Sequence, residues 1–381
     1  MSTSSLSITE WRPVTGTLPP LSAADWDSEF EKYRASPEFK LLNPHMTLDE
    51  FKKIYFMEWG HRLWGRFIGL SFVLPAAYFV ARGRVSRPLT AGLAGISLLI
   101  GFQGFIGWWM VKSGLTDDLF APGSHPRVSQ YRLAAHLATA FICYSTMLWA
   151  GLSTLRDRAL LANPERGHAA LLERSSPALR FFRRSVLTIA LLVFTTAVSG
   201  ALVAGLDAGL IYNEFPTMGA GRIAPPAEEL FKDFYSRRPD QSDLWWRNML
   251  ENPSTVQLDH RILATTTLTA ITALWVYSRF NPRVAAAMPR NARKGMMGVL
   301  HFALMQVGLG IATLLYLVPV PLASAHQACS MGLLSMTLVL GSRLWVPKRS
   351  LRLVTSKLSQ VAAQGATKAR IPAAVRGTPT A

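Results

Sequence analysis

The chain has only two cysteines in 381 residues, Cys143 and Cys329, and both fall inside long apolar runs. Neither a disulfide framework nor a cysteine-based metal site can be built from them. Acidic residues are also few, 23 Asp and Glu against 40 Lys and Arg, and charged residues make up only 17% of the chain. An excess of 17 positive charges on a soluble protein would point to nucleic acid. Here half the residues are hydrophobic and the mean hydropathy is positive, which argues for a membrane protein.

Stretches near the roughly 20 apolar residues needed to cross a bilayer occur at 56–81, 89–111, 130–152, 184–206, 257–279, 295–318 and 321–345. The expected fold is therefore all-α and polytopic, with seven transmembrane helices. Between them, 82–88, 153–183, 280–294 and the tail from 346 are rich in Arg and Lys, while 207–256 carries Glu228, Glu229, Asp233, Asp240, Asp243 and Glu251. That alternation follows the positive-inside rule. It explains the charge without nucleic acid, puts the tail on the inner side, and puts the N-terminal segment outside. The stretch DLWWRNMLENP (243–253) has the aromatic, amphipathic character of an interfacial segment.

An internal duplication organises the chain. SLSITEWRP (5–13), EWGHRLW, a span with Gln103 and Gly107, and SQYRLAAHLA recur in the same order as GLIYNEFPT (209–217), QLDHRIL, a span with Gln306 and Gly310, and PLASAHQA. Leu6, Glu10 and Trp11 align with Leu210, Glu214 and Phe215. Five regions are expected: an outer segment (1–55), a first helical repeat (56–152), a basic inner linker (153–183), a second repeat (184–345) and a disordered basic tail (346–381). A helix precedes GLIYNEFPT but only MSTS precedes SLSITEWRP, with no signal or transit peptide. The duplication thus predicts a four-helix repeat that lacks its first helix in the first half, and an inactive chain as it stands.

Four of the eight histidines fall on the repeat: His61 and His136 in the first half, His260 and His326 in the second. Each sits near the outer start of an outside-to-inside helix, so one common depth is expected. Ionisable groups in spans are expensive and point to function. Paired neutral imidazoles across a helix bundle suit axial ligation of haem iron, whereas zinc prefers closed sites that recruit Cys or carboxylate. Arg62, Arg132 and Arg261 could face haem propionates, or simply snorkel to the interface. Glu58 lies three residues before His61 where Gln257 precedes His260, one helical turn away. A carboxylate there can hold a proton, which makes the first pair the reactive site and the second an electron-holding site; the competing role for Glu58 is an i,i+4 ion pair with Arg62. His45, His125, His168 and His301 have no repeat partner, though His125 lies on the outer side.

With EWGHRLWGRFIG, GFQGFIGWWMVKSGL, VSQYRLAAHLATA, AGLDAGLIYNEFPTMG, VQLDHRILA and SAHQACSMG on the page, the chain resembles the haem A synthase family, in its mitochondrial and alphaproteobacterial-like branch, from about residue 5 to about 346. The resemblance implies an oxidoreductase that turns the C8 methyl of haem O into the formyl of haem A for cytochrome c oxidase assembly, by two hydroxylations and loss of water. It implies that His61 and His136 bind the substrate haem, that His260 and His326 ligate a resident haem b, and that Glu58 is catalytically important. Ferredoxin with its reductase as electron donor, haem O synthase as substrate source, and the mitochondrial inner membrane, or the plasma membrane of a bacterium, are implied too. A homo-oligomer is left open. The cysteine pair that some bacterial members carry in an outer loop is absent here. The alternatives are a bis-histidine b-type membrane cytochrome, which would place its haems near opposite faces, or a haem-delivery protein, which would have no use for Glu58.

Overall fold

A computed structural model describes residues 6–12, 15–121, 124 and 126–369; His125 and the basic residues beyond 369 lie outside them. Among the described residues there is no strand, and the chain is all-α. Two short helices come first, α1 (Ala23–Arg34) and α2 (Pro37–Leu42). Ser22 and Asp25 close a capping box on α1, and Ser36 caps α2 just ahead of Pro37. These caps supply acceptors for N–H groups that a helix start leaves unpaired.

The long helices follow: α3 (Leu48–Ala81), α4 (Arg87–Lys112) and α5 (Gln130–Ala162). Thr47 starts α3 with a second capping box, its N–H donating to Glu50 Oε2 at 2.9 Å. The helix therefore begins eight residues before the expected span, and His61 lies well inside it. The segment expected to be a linker is largely helical: α5 continues to Ala162, α6 (Pro164–Arg174) is capped by Asn163, and α7 (Arg180–Gly205) follows. In the outer loop come α8 (Ala227–Leu230) and α9 (Leu244–Glu251), the latter on the stretch expected to be interfacial. Then follow α10 (Pro253–Phe280), α11 (Pro282–Ala287), α12 (Arg290–Leu315), α13 (Val320–Leu344) and α14 (Lys348–Ala369).

The helix α14 corrects the expectation of a disordered tail. Its Val354 and Leu351 pack with Leu160 and Leu171 of α5 and α6, and Ser350 donates to Asp157 Oδ1 at 2.6 Å. Val354 is buried completely enough to contribute about 1.5–3 kcal/mol. A basic tail was expected to stay in water, but its apolar residues recur at helical spacing and find a partner face.

Among the described residues five helices are long and apolar enough to cross a membrane: α3, α4 with its continuation to Phe120, α5, α7 with the turn from Pro177, and α12. A sixth such span is formed by α13 together with Lys348–Gln364, bent from it by 42°. The remaining expected span, 257–279, coincides with α10, which has 28 residues. Gln257, Asp259, His260, Arg261 and a run of threonines make it more polar than the others.

The chain divides into two compact units. One comprises Met1–Met147, Phe194–Thr265 and Gly308–Ala328; the other comprises Leu148–Val193, Thr266–Val307 and Cys329–Ala381. In the first, Tyr33, Phe39, Phe51 and Tyr55 form a buried aromatic cluster, with Phe30 and Trp26 packed on it and neighbouring ring centroids 5.0–5.9 Å apart. In the second, Cys329 is buried and Trp275 Nε1 donates to Met297 Sδ at 3.0 Å. All four repeat histidines belong to the first unit.

Candidate functional site

The repeat becomes physical at two arginines. Arg62 donates from Nη1 to the Glu10 carbonyl at 3.0 Å and from Nη2 to the Ile8 carbonyl at 2.9 Å. Arg261, at the equivalent place, donates from Nη2 to the carbonyls of Glu214 at 2.9 Å and Tyr212 at 3.2 Å, and from Nη1 to Thr217 at 2.9 Å. Glu10 aligns with Glu214 and Ile8 with Tyr212, so each half uses one guanidinium to hold its outer segment against the helix that carries its first histidine.

The residues three before these histidines serve the same clamps. Gln257 Nε2 donates to the Tyr212 carbonyl at 3.0 Å. Glu58 takes more: Oε2 accepts from Ser7 N–H and Ser7 Oγ, both at 2.7 Å, and from Ile8 N–H at 3.0 Å. Its Oε1 pairs with Arg62 Nη2 at 2.7 Å and Nε at 3.1 Å. The ion pair that competed with a catalytic role is therefore present, and it is extended into an anchor for residues 7–10. In the second outer segment, burial and the Glu229 carboxylate push the Tyr212 phenol up to about 12.

Arg132, the third candidate for propionate contact, donates from Nη1 to the Trp109 carbonyl at 2.7 Å and lies 4.5 Å over the Trp109 ring. All three arginines thus serve backbone carbonyls. Arg261 Nε is buried and has no acceptor among the described residues.

His61 on α3 and His136 on α5 are brought together, their ring centroids 6.3 Å apart and the rings inclined at 75°. Imidazole nitrogens bind first-row metals at about 2.0–2.1 Å, and with roughly 1.1 Å from nitrogen to ring centre on each side, two axial ligands should place their centroids about 6.3 Å apart. The spacing fits a metal held between them. Glycine makes room for the second imidazole: a Cβ on Gly107 of α4 would be 3.0 Å from His136 Cε1. One turn away, Gln103 Nε2 donates to the His136 carbonyl at 2.9 Å and lies 3.1 Å from His136 Nδ1.

The second half repeats this construction. A Cβ on Gly310 of α12 would be 2.8 Å from His326 Cε1, and one on Gly200 of α7 would be 3.2 Å from His260 Cε1. His260 on α10 and His326 on α13 are the counterparts of His61 and His136 in the repeat. Ser199 Oγ lies 2.7 Å from His260 Nδ1. The glycine cradles and Ser199 were missed at the level of sequence, although Gln103, Gly107, Gln306 and Gly310 recur at matching places. A Gln and a Gly four residues apart share a helix face, and that face holds the imidazole. Among the described residues no group of three or more His, Cys, Asp and Glu could hold a metal ion.

Comparison with known proteins gives the family. A family model described as cytochrome oxidase assembly protein, COX15-CtaA, matches residues 1–338. Heme A synthase COX15 of Saccharomyces cerevisiae is 49% identical over 350 residues, 92% of this chain and 71% of that protein. A heme A synthase–mitochondrial ferredoxin fusion protein of Schizosaccharomyces pombe is 49% identical over 344 residues, 90% of this chain and 55% of the fusion. Heme A synthase of the bacterium Nitrosospira multiformis is 43% identical over 343 residues, 90% of this chain and 85% of that protein. With histidines, cradles and clamps repeated along almost the whole matched length, the chain belongs to the COX15-CtaA family of cytochrome oxidase assembly proteins.

Proposed function

We infer that the chain is a haem A synthase, a multi-pass membrane oxidoreductase that takes haem O as substrate and oxidises its C8 methyl to the formyl of haem A. The observation that carries this most directly is the His61–His136 pair, whose 6.3 Å centroid spacing suits two axial ligands. We assign these two to the substrate haem, and His260 and His326 to a resident haem b that would supply one-electron storage. In this arrangement α10 and α13 are spans like the others, because the histidines they carry need the same depth as those of α3 and α5.

The protein's own groups do the rest. Gly107, Gly200 and Gly310 leave space in which imidazoles stand close to neighbouring helices, and a ligand held rigidly needs less reorganisation during a redox step. Arg62 and Arg261 keep the outer segments over the two pairs. Glu58 anchors residues 7–10 and is the carboxylate one turn from His61, placed to hold a proton released as the methyl is oxidised. Arg261 Nε, a buried donor without an acceptor among the described residues, is the best placed of the three arginine candidates for a propionate, and Arg132 is the second.

Ferredoxin as electron donor is supported by the relative in which a ferredoxin is fused to the synthase. Haem O synthase as substrate source, cytochrome oxidase as destination, and the mitochondrial inner membrane follow from the same assignment. The test is conversion: membranes carrying the protein, given haem O, a reducing system and air, should yield haem A by chromatography. His61→Ala or His136→Ala should abolish the product, and a wild-type protein that binds haem O without ever forming haem A or a hydroxylated intermediate would leave only haem delivery.

A further inference from the structure

We propose that Ser199 is a positioning residue for the second haem site, fixing His260 in the protonation form that binds iron through Nε2 and strengthening it as a donor. The proposal rests on the assignment of His260 and His326 to a resident haem.

Ser199 makes two contacts from one hydroxyl: Oγ donates to the Thr196 carbonyl at 2.8 Å and lies 2.7 Å from His260 Nδ1. With the hydroxyl proton donated to the Thr196 carbonyl, Oγ offers a lone pair to the imidazole. Both contacts are satisfied in one arrangement, with the proton on Nδ1 donated to Ser199. The lone pair is then on Nε2, the nitrogen left for a metal.

A hydrogen bond from Nδ1–H to an oxygen acceptor raises the basicity of the other nitrogen and fixes the ring about its axis, as outer partners of metal-bound histidines generally do. Gly200, next in sequence, lets the ring approach this part of α7, since a Cβ there would stand 3.2 Å from Cε1. The acceptor at His260 favours the oxidised iron of the resident haem.

The experiment uses the full-length purified holoprotein and compares wild type, Ser199→Ala and Ser199→Thr by redox titration and low-temperature EPR. In Ser199→Ala the component assigned to His260 and His326 should become easier to reduce, its Fe(II)/Fe(III) ratio at fixed potential rising about three- to tenfold; tenfold corresponds to 59 mV for one electron. Its low-spin EPR signal should move, and Ser199→Thr, which keeps the hydroxyl, should restore both. Loss of that haem in Ser199→Ala with recovery in Ser199→Thr supports the proposal equally. Full haem content with unchanged potential and EPR in Ser199→Ala overturns it, as does haem loss in both variants, which would make position 199 a packing site. A His260→Ala control separates the two levels: if its haem content and spectrum match wild type, the resident-haem assignment fails and the role of Ser199 falls with it.

Discussion

Replacing Gly310 with alanine tests how tightly the cradles hold their imidazoles. A methyl at this position would sit 2.8 Å from His326 Cε1, 3.4 Å from Nδ1 and 3.5 Å from Nε2. Carbon atoms pack comfortably at about 3.5–4.0 Å, so the ring must retreat by roughly 0.7 Å or more. Metal–ligand distances tolerate about 0.2 Å, and the displacement exceeds that severalfold. Stability should change less than binding, because overpacking costs about 1–3 kcal/mol while alanine in place of glycine within a helix returns about 1 kcal/mol. Gly310→Ala should therefore remain folded but lose most of the haem at the second site, read as haem per protein by pyridine haemochrome. Gly107→Ala, at 3.0 Å, and Gly200→Ala, at 3.2 Å, should do progressively less. Gly308, with nothing within 4 Å of an added Cβ, is the control on the same helix and should bind haem as wild type does. Equal haem content and spectra in Gly310→Ala and Gly308→Ala would refute the cradle.

Arg261→Ala removes three hydrogen bonds to carbonyls of residues 212–217; with charged donors worth about 1.5–3 kcal/mol each before relaxation, that segment should become the first site of limited proteolysis. Glu58→Gln should sharply lower conversion of haem O while leaving haem binding at His260 and His326 intact, and unchanged turnover would remove Glu58 from the mechanism. Asp243 accepts hydrogen bonds from Ser236 Oγ at 2.7 Å, Arg247 Nε at 2.5 Å and Arg237 N–H at 3.2 Å, which hold its carboxyl well below the usual carboxylate range. A depressed carboxyl stabilises the fold above its unfolded value, near 3.9, and loses that contribution only as pH falls through the folded value. Hydrogen exchange around 236–247 should accordingly stay slow at pH 4 and quicken only in stronger acid.

Much of the architecture was legible because membrane helices declare themselves by length and charge placement. The repeat was legible too, and its alignment of Glu10 with Glu214 and Ile8 with Tyr212 reappears in the carbonyls held by Arg62 and Arg261. What the arginines do was not: a cation beside a candidate ligand at a membrane boundary suits a propionate as well as a carbonyl, and only the chain's path puts Glu10 and Ile8 within reach. The ionic role of Glu58 could be foreseen from its i,i+4 spacing to Arg62, whereas the N–H groups of Ser7 and Ile8 come from 50 residues away. The span count is the less legible part, since α10 is long enough to cross but polar in its outer half. The tail misled because its basic residues hid the apolar face that α14 lays on α5 and α6. Ser199 gave no signal in sequence, where a serine in an apolar helix most often bonds its own backbone; it does so here and receives His260 as well.

The most direct measurement is haem count and identity in the purified full chain, with each histidine of the four changed singly to alanine. Two sites built on separate pairs should fail separately. His260→Ala or His326→Ala should remove haem b and spare binding of haem O, whereas His61→Ala or His136→Ala should spare haem b and end both haem O retention and formation of haem A. Loss of all haem from any single change, or retention of both haems after every one, would contradict two independent axial pairs.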